Sequence, residues 1–251
     1  MKLDRRNQIV ELITRQRTVK NQELMDRFDI SIETVRRDLE YLEEQGYLRR
    51  VYGGAVVNIA MGSEPEYANR AQHLSAEKAA IGAAAAKLIN PKETIYLGVG
   101  TTVQAMAQYM KNFSEITVFT NALRTAVELS EIQGCTVILP GGHVRAKELT
   151  LSGFPAEENF NHFNVEKAFI GIGGITDSAV TDFHIGEARL HRQMIKNARQ
   201  SIVLADSSKL GVRAMNNICA LNEIDIVVTD SGAPKQIIKA LEQAGVKVII
   251  A

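Results

Sequence analysis

The stretch that most constrains this chain is residues 31–54, SIETVRRDLEYLEEQGYLRRVYGG. Its periodicity reads as one helix, a turn and a short basic hairpin. Ser31 can cap the helix, because its hydroxyl accepts from amides that the first turn leaves without partners. Ile32, Val35, Leu39 and Leu42 recur at helical spacing and form one apolar stripe. The outward face carries Glu33, Thr34, Arg37, Glu40, Tyr41 and Glu44, with Arg36 on its flank. Gly46 is expected to end the helix, since glycine takes the left-handed conformation at little cost. Residues 47–52 (YLRRVY) and the Gly53-Gly54 turn then make a small wing with two adjacent arginines. A cationic helix beside a cationic wing suits a major groove flanked by phosphates. Taken alone, such a helix reads more readily as a surface element whose charges are merely solvated.

The preceding residues weigh against that plainer reading. Residues 4–16 carry Ile9, Leu12 and Ile13 at helical spacing, with Arg5 and Arg6 in the first turn. Thr18-Val19-Lys20 reads as a short extended link, and 21–28 as a second helix with Asn21 available as its cap. Leu24, Met25 and Phe28 of that helix face inward. Three helices, a tight turn and a two-stranded wing make the winged form of the helix-turn-helix. Its expected core is Ile9, Leu12, Leu24, Phe28, Val35, Leu39 and Leu42. The candidate DNA contacts are Ser31, Thr34, Arg36 and Arg37 on the helix and Arg49, Arg50 and Tyr52 on the wing. Arg37 can bind guanine in bidentate fashion, which discriminates by about 1–3 kcal/mol, whereas the wing arginines suit phosphates. A winged fold can instead dock another protein.

Charge does not decide between those uses. The formal net charge is zero, with 11 Lys/Arg and 10 Asp/Glu in residues 1–57 and 18 and 19 in the remainder. DNA binding must therefore come from local placement of arginines. The 251 residues leave room for a second domain, and 45% apolar content suffices for a sizeable core. Cys135 and Cys219 lie far apart without metal-ligand spacing, and are expected to be reduced core residues. The charged N-terminus MKLDRRNQIV predicts no secretory leader, and no apolar run has membrane length, so a cytoplasmic protein is expected.

The string Thr34-Val35-Arg36-Arg37-Asp38-Leu39, followed by Leu42, Gly46 and Val51-Tyr52-Gly53-Gly54-Ala55, resembles the N-terminal signature of the DeoR family of bacterial transcriptional regulators. The similarity continues through Gly100-Thr101-Thr102, Thr120-Asn121, Leu139-Pro140-Gly141-Gly142, Gly153, Ala168-Phe169-Ile170-Gly171 and Ala205-Asp206-Ser207-Ser208-Lys209. It covers essentially the whole chain in the family's order. The resemblance implies a DNA-binding regulator whose C-terminal domain senses a phosphorylated sugar or sugar derivative.

Residues 58–74 read independently as a polar linker, with Asn58, Gly62, Ser63, Glu64 and Pro65 breaking periodicity. From 75 onward the pattern alternates. An Ala-rich helix capped by Ser75 runs to Asn90-Pro91, then strand 94–99, helix 102–112, strand 116–120, helix 122–132 and strand 135–139. Further strands are expected at 166–171, 201–205, 225–229 and 246–250, with helices near 186–198 and 234–243. This alternation indicates a largely parallel sheet covered on both faces. The resemblance implies the doubly wound sheet shared by ribose-phosphate isomerases, glucosamine-phosphate deaminases and coenzyme A transferases. The expected organisation is α/β: 1–57 a winged helix-turn-helix, 58–74 a linker and 75–251 an effector-binding sensor.

Ligands of such sheets bind beyond the carboxyl ends of the strands. There the sequence places Gly100, Thr101 and Thr102, Asn121, Gly141 and Gly142, Gly173 and Gly174, and Lys209. Free amides, hydroxyls and a mobile cation together suit an anion. Arg145 and Glu187 are further candidate contacts. Asp182, His184 and Glu187 lie close together and could suggest acid–base chemistry, but they match neither the deaminase nor the isomerase pattern. His143, His162, His184 and His191 lack metal spacing and are expected mostly at the surface or in loops. Gly98 stands where relatives commonly have aspartate, and Glu166 where aspartate often precedes the lysine. The expectation is a repressor without metal, cofactor or catalytic residues, acting on operator DNA as a homodimer or homotetramer, since one module reads few base pairs. The competing expectation is a sugar-phosphate isomerase or deaminase with an accessory module.

Overall fold

The computed structural model of the chain describes residues 2–16, 18–44, 47–57, 64–113 and 115–251. Gly46, Asn58, Gly62 and Ser63, which carry part of the helix-end and linker expectations, lie outside them. The chain forms two compact units, Met1–His73 and Leu74–Ala251.

The first unit runs α1 (Lys2–Gln16), β1 (Thr18–Lys20), α2 (Asn21–Phe28), α3 (Ile32–Glu44), β2 (Leu48–Val51), β3 (Gly54–Val57) and α4 (Tyr67–Gln72). Asp29 closes α2 in the left-handed conformation, and the Ser31 hydroxyl caps α3 by accepting from Thr34 N at 3.4 Å. Ile9, Leu12, Leu24, Val35, Leu39 and Leu42 are buried as expected; Phe28 is only partly buried against them.

Three expectations need correction here. The wing has three strands, in the order β1-β3-β2, because the supposed link pairs antiparallel with β3, Val19 opposite Ala55. The approach is so close that a Cβ on Gly54 would lie 2.0 Å from Val19 O. Asn21 caps nothing with its side chain: it is the first residue of α2, and its backbone N–H donates to Gly53 O. The stretch expected as linker carries α4, where Arg70 reaches back to Glu64 Oε1 and Pro65 O, both at 2.9 Å. These local bonds replace the apolar periodicity that the segment lacks.

The second unit runs α5 (Ser75–Ala86), β4 (Thr94–Leu97), α6 (Thr101–Ala107), β5 (Ile116–Thr120), α7 (Leu123–Ser130), β6 (Cys135–Ile138), β7 (His143–Arg145), β8 (Thr150–Ser152) and α8 (Phe154–Phe160). It continues with β9 (Val165–Gly171), β10 (Gly174–Ile175), β11 (Ala179–Asp182), α9 (Ile185–Asn197), β12 (Ala198–Leu204), β13 (Asn216–Ala220), β14 (Ile226–Thr229), α10 (Lys235–Gln243) and β15 (Lys247–Ile250). Seven strands form one wholly parallel sheet, ordered β15-β14-β12-β9-β4-β5-β6. The chain starts in the middle at β4, winds outward one way to β6, then returns to β9 on the other side. That is a doubly wound sheet with its switch point between β4 and β9.

Successive side chains feed two cores, as the period of a strand requires. Ile95, Leu97, Phe169, Ile202 and Leu204 pack on one face with Ile81, Val103, Met106 and Leu129 of α5–α7. Tyr96, Ala168, Ile170, Val203 and Val227 pack on the other with Phe160, Leu190, Met194 and Leu241 of α8–α10. Ser75 does not cap α5. Leu74 takes that position with φ +50°, its carbonyl accepting from Lys78 N, so Ser75 is already the first helical residue. The β7–β8 hairpin and the antiparallel trio β10-β11-β13 were not expected. Both are short strands without clear alternation.

Candidate functional site

In the first unit, Val35, Asp38, Leu39 and Leu42 all turn inward, which leaves Glu33, Arg36, Arg37, Glu40 and Glu44 in solvent. Thr34 and Tyr41 are half-buried. The hydroxyls of Ser31 and Thr34 stand 3.2 Å apart at the start of α3. On the wing, Arg49, Arg50 and Tyr52 are all exposed, Tyr52 completely so at the tip, where Gly53 makes the turn with φ +82°. Arg50 is also tied to the helix. Its backbone N–H and Nε each donate to the Glu43 carboxylate at 2.7 Å, and Nη1 lies 3.6 Å from Glu40 Oε1. The guanidinium holds the Glu43 carboxyl below the usual carboxylate range.

Asp38 escaped the sequence reading. It is 1% exposed and bonds Arg5 and Arg6 of α1, whose Nε atoms both donate at 2.7 Å. The Arg6 guanidinium also lies 3.7 Å from the centroid of the Tyr41 ring. These two arginines therefore fix α1 to α3. The signal was present in the sequence: Asp38 falls within the apolar stripe, three residues after Val35 and four before Leu42.

In the second unit, Gly100–Thr102, Asn121, Gly141-Gly142, Gly173-Gly174 and Lys209 follow the carboxyl ends of β4, β5, β6, β9 and β12, whereas Arg145 lies in β7 and Glu187 in α9. Gly100 opens α6 with φ +121°, and Thr101 and Thr102 are buried beside it. Gly171 ends β9 so close to this loop that a Cβ would meet Val99 O at 2.2 Å. Gly173 and Gly174 are equally confined, against Phe183 and against Val212 O. Gly142 allows the β6–β7 turn to pass Ser152 O, while a Cβ on Gly141 would meet open space.

The structure gives Asn121 an internal task. Its Oδ1 accepts from Tyr96 OH at 2.8 Å and its Nδ2 donates to Leu151 O at 3.1 Å, joining β5 to β8. Glu187 and Arg145 are brought together: Glu187 Oε1 accepts from Arg145 Nη1 at 3.0 Å and from the Thr150 hydroxyl at 2.7 Å. Lys209 is half-buried, with Nζ 5.9 Å from the Phe183 ring centroid.

Asp206 and Asp230 were also overlooked as organisers. Buried Asp206 accepts from the backbone and hydroxyl of Ser208, and lies 3.6 Å from Lys78 Nζ. Asp230 accepts from Ser207 N at 2.6 Å and Gly232 N at 2.9 Å, stapling the β12 and β14 loops. His191 departs from what was expected of most of the four histidines: it is fully buried on α9. Both thiols are free, and burial pushes the Cys219 thiol up to about 12. Among the described residues no group of three or more His, Cys, Asp or Glu could hold a metal, and no helix is long and apolar enough to cross a membrane.

Known proteins share both units. Residues 5–60 match the model of a DeoR-like helix-turn-helix domain, and residues 74–231 that of the DeoR C terminal sensor domain. The HTH-type transcriptional regulator YulB of Bacillus subtilis is 36% identical, over 98% of this chain and 95% of its own. The glycerol-3-phosphate regulon repressor of Escherichia coli is 32% identical, over 94% of each. Ribose 5-phosphate isomerase from Plasmodium falciparum aligns with 54% of this chain and 52% of its own at 15% identity and a TM-score of 0.40. With both of its units matched in order, the chain belongs to the DeoR family and is a DNA-binding transcriptional regulator with a C-terminal sensor unit.

Proposed function

We propose that this protein is a cytoplasmic repressor of an operon for a sugar or carbohydrate derivative. Ser31, Thr34, Arg36, Arg37, Arg49, Arg50 and Tyr52 meet operator DNA. A phosphorylated sugar-like effector occupies the strand-end loops, at Gly100–Thr102, Gly141-Gly142, Gly173-Gly174 and Lys209, with Asn121, Arg145 and Glu187 shaping or touching it. The observation that carries this reading is the combination in one chain of exposed Arg36 and Arg37 with a doubly wound sheet in which Gly100 and Gly171 adjoin at the switch point. The likeness to the glycerol-3-phosphate regulon repressor of E. coli supports the same direction.

Control works by linkage. The effector must bind the DNA-competent and DNA-incompetent arrangements with unequal affinity, because equal affinity would shift neither population. One reader covers few base pairs, so a homodimer or homotetramer on repeated half-sites supplies selectivity. No turnover and no cofactor are part of this role: Glu187 serves as an anchor for Arg145 and Thr150, and Asp182 accepts from His184 N at 3.2 Å.

The test is a binding titration at fixed salt on the DNA upstream of the neighbouring operon, with and without sugar phosphates. Sequence-selective binding that a sugar phosphate changes is expected; its absence under every condition would reject the regulator role. Measurable turnover of ribose 5-phosphate or glucosamine 6-phosphate would instead favour an enzyme.

A further inference from the structure

His191 differs from the other polar groups near the strand ends. It is 0% exposed, and neither Nδ1 nor Nε2 has a hydrogen-bond partner among the described residues. Buried polar atoms in native folds are almost always bonded, so such a pair calls for a group that completes it.

The surroundings define that group. Nδ1 lies 3.9 Å from Asp182 Oδ2, beyond hydrogen-bond length. Burial pushes the imidazole pKa down to about 4, so the ring is neutral at pH 7. A neutral ring has one donor and one acceptor, and a carboxylate beside Nδ1 favours the proton there. Nε2 is then the acceptor. It lies against Gly98, where a Cβ would come within 2.8 Å of it.

Gly98 begins the loop after β4 and donates its N–H to Phe169 O of β9 at 2.8 Å. It therefore sits at the switch point, beside which sheets of this topology take their ligands. A bare acceptor at that place suits a hydroxyl proton and opposes a phosphate oxygen, which itself only accepts. The Tyr96 hydroxyl, whose ring stands edge-on to His191 with centroids 6.3 Å apart, already donates to Asn121.

We propose that His191 recognises the hydroxylated end of the effector, its buried and unpartnered Nε2 accepting a hydrogen bond from a hydroxyl of a sugar or polyol phosphate, with glycine at position 98 placing no side chain against the acceptor. This rests on the reading of the second unit as a sugar-phosphate receptor and adds the residue that senses the ligand's hydroxyls. His191 contributes recognition and no chemistry.

The test is isothermal titration of the full-length protein with glucose 6-phosphate, fructose 6-phosphate and glycerol 3-phosphate. His191→Leu keeps the bulk and removes both nitrogens, while His191→Gln extends an amide toward the position of Nε2. For the probe that the unmodified protein binds best, His191→Leu is expected to weaken binding about tenfold, and His191→Gln by no more than about threefold. The melting temperature of His191→Leu should not fall, since an apolar replacement removes two unsatisfied atoms. Unchanged affinity in His191→Leu overturns the proposal, as does an equal loss in both variants. If His191→Leu fails to fold, Gly98→Ala takes its place, because its Cβ crowds Nε2; unchanged affinity there is equally fatal. If the unmodified protein binds none of the three, the receptor reading itself fails, which is a different outcome from binding without His191.

Discussion

Arg36, Arg37 and Arg49 stand in solvent on the first unit, whereas Asp182, Glu187, Asp206 and Asp230 of the second are buried and accept bonds from neighbouring groups. The difference follows from what each surface meets. A DNA face gains affinity by releasing counterions from phosphates, so its charges must remain hydrated and accessible until the duplex arrives. A receptor for a small ligand must hold its loops in place beforehand, and buried carboxylates bonded to backbone amides do that. Changes on the first surface should therefore alter binding and spare stability. Replacing the buried carboxylates beneath the second should affect both.

Asp38 tests that contrast most severely, because it is a buried charge within the unit whose working charges are exposed. Asp38→Ala leaves Arg5 and Arg6 without their carboxylate, and should cost the first unit roughly 3–5 kcal/mol. Urea denaturation would measure it; a loss below about 1 kcal/mol would break the distinction. Next in size is a pH effect in the second unit. The His191 pKa is about 4 when folded against an ordinary 6.5, so between these values the unfolded chain binds a proton that the folded one does not. Stability should fall as pH drops from 6.5 toward 4, by an amount on the order of 3 kcal/mol at pH 4. His191→Leu should lack that part of the loss when denatured side by side at the two pH values.

Gly171→Ala forces a Cβ to 2.2 Å from Val99 O, and backbone cannot yield as a side chain can. A destabilisation of about 1–3 kcal/mol is expected, measurable by thermal unfolding and accompanied by loss of effector response. Arg37→Ala should leave the melting temperature unchanged and weaken operator binding by about 1–3 kcal/mol. The smallest effect is expected at Arg50. Glu43 and Glu40 already pair with it, so Arg50→Ala should reduce DNA affinity less than Arg49→Ala at equal salt. The reverse order would mean that the carboxylates release Arg50 on binding.

How much was legible in the sequence varies along the chain in a regular way. The bounds of α2 and β5 agree with those expected, because each is set by local spacing and neighbouring turn residues. The winged helix-turn-helix was legible because the helical part of its core repeats at helical period within a short span. Asp38 was assigned to neither face, although its place in the stripe was there to read. The extended link became β1 only because β3 came to lie beside it. The hairpin of β7 and β8 is three residues per strand, too short for alternation to register. Asn121 was expected at the ligand, but its amide is occupied by Tyr96 and Leu151, neither of which is near it in sequence.

Sequence alone determined the seven strands of the parallel sheet, the exposed arginines of α3 and the glycines that follow the strand ends, since each depends on spacing within a few residues. Only the tertiary structure decided which carboxylates are buried beneath those loops, which glycines are required by close backbone approach, and that His191 lies against Gly98. Those outcomes depend on residues tens of positions apart being brought together when two cores close over one sheet, and no local period records that encounter.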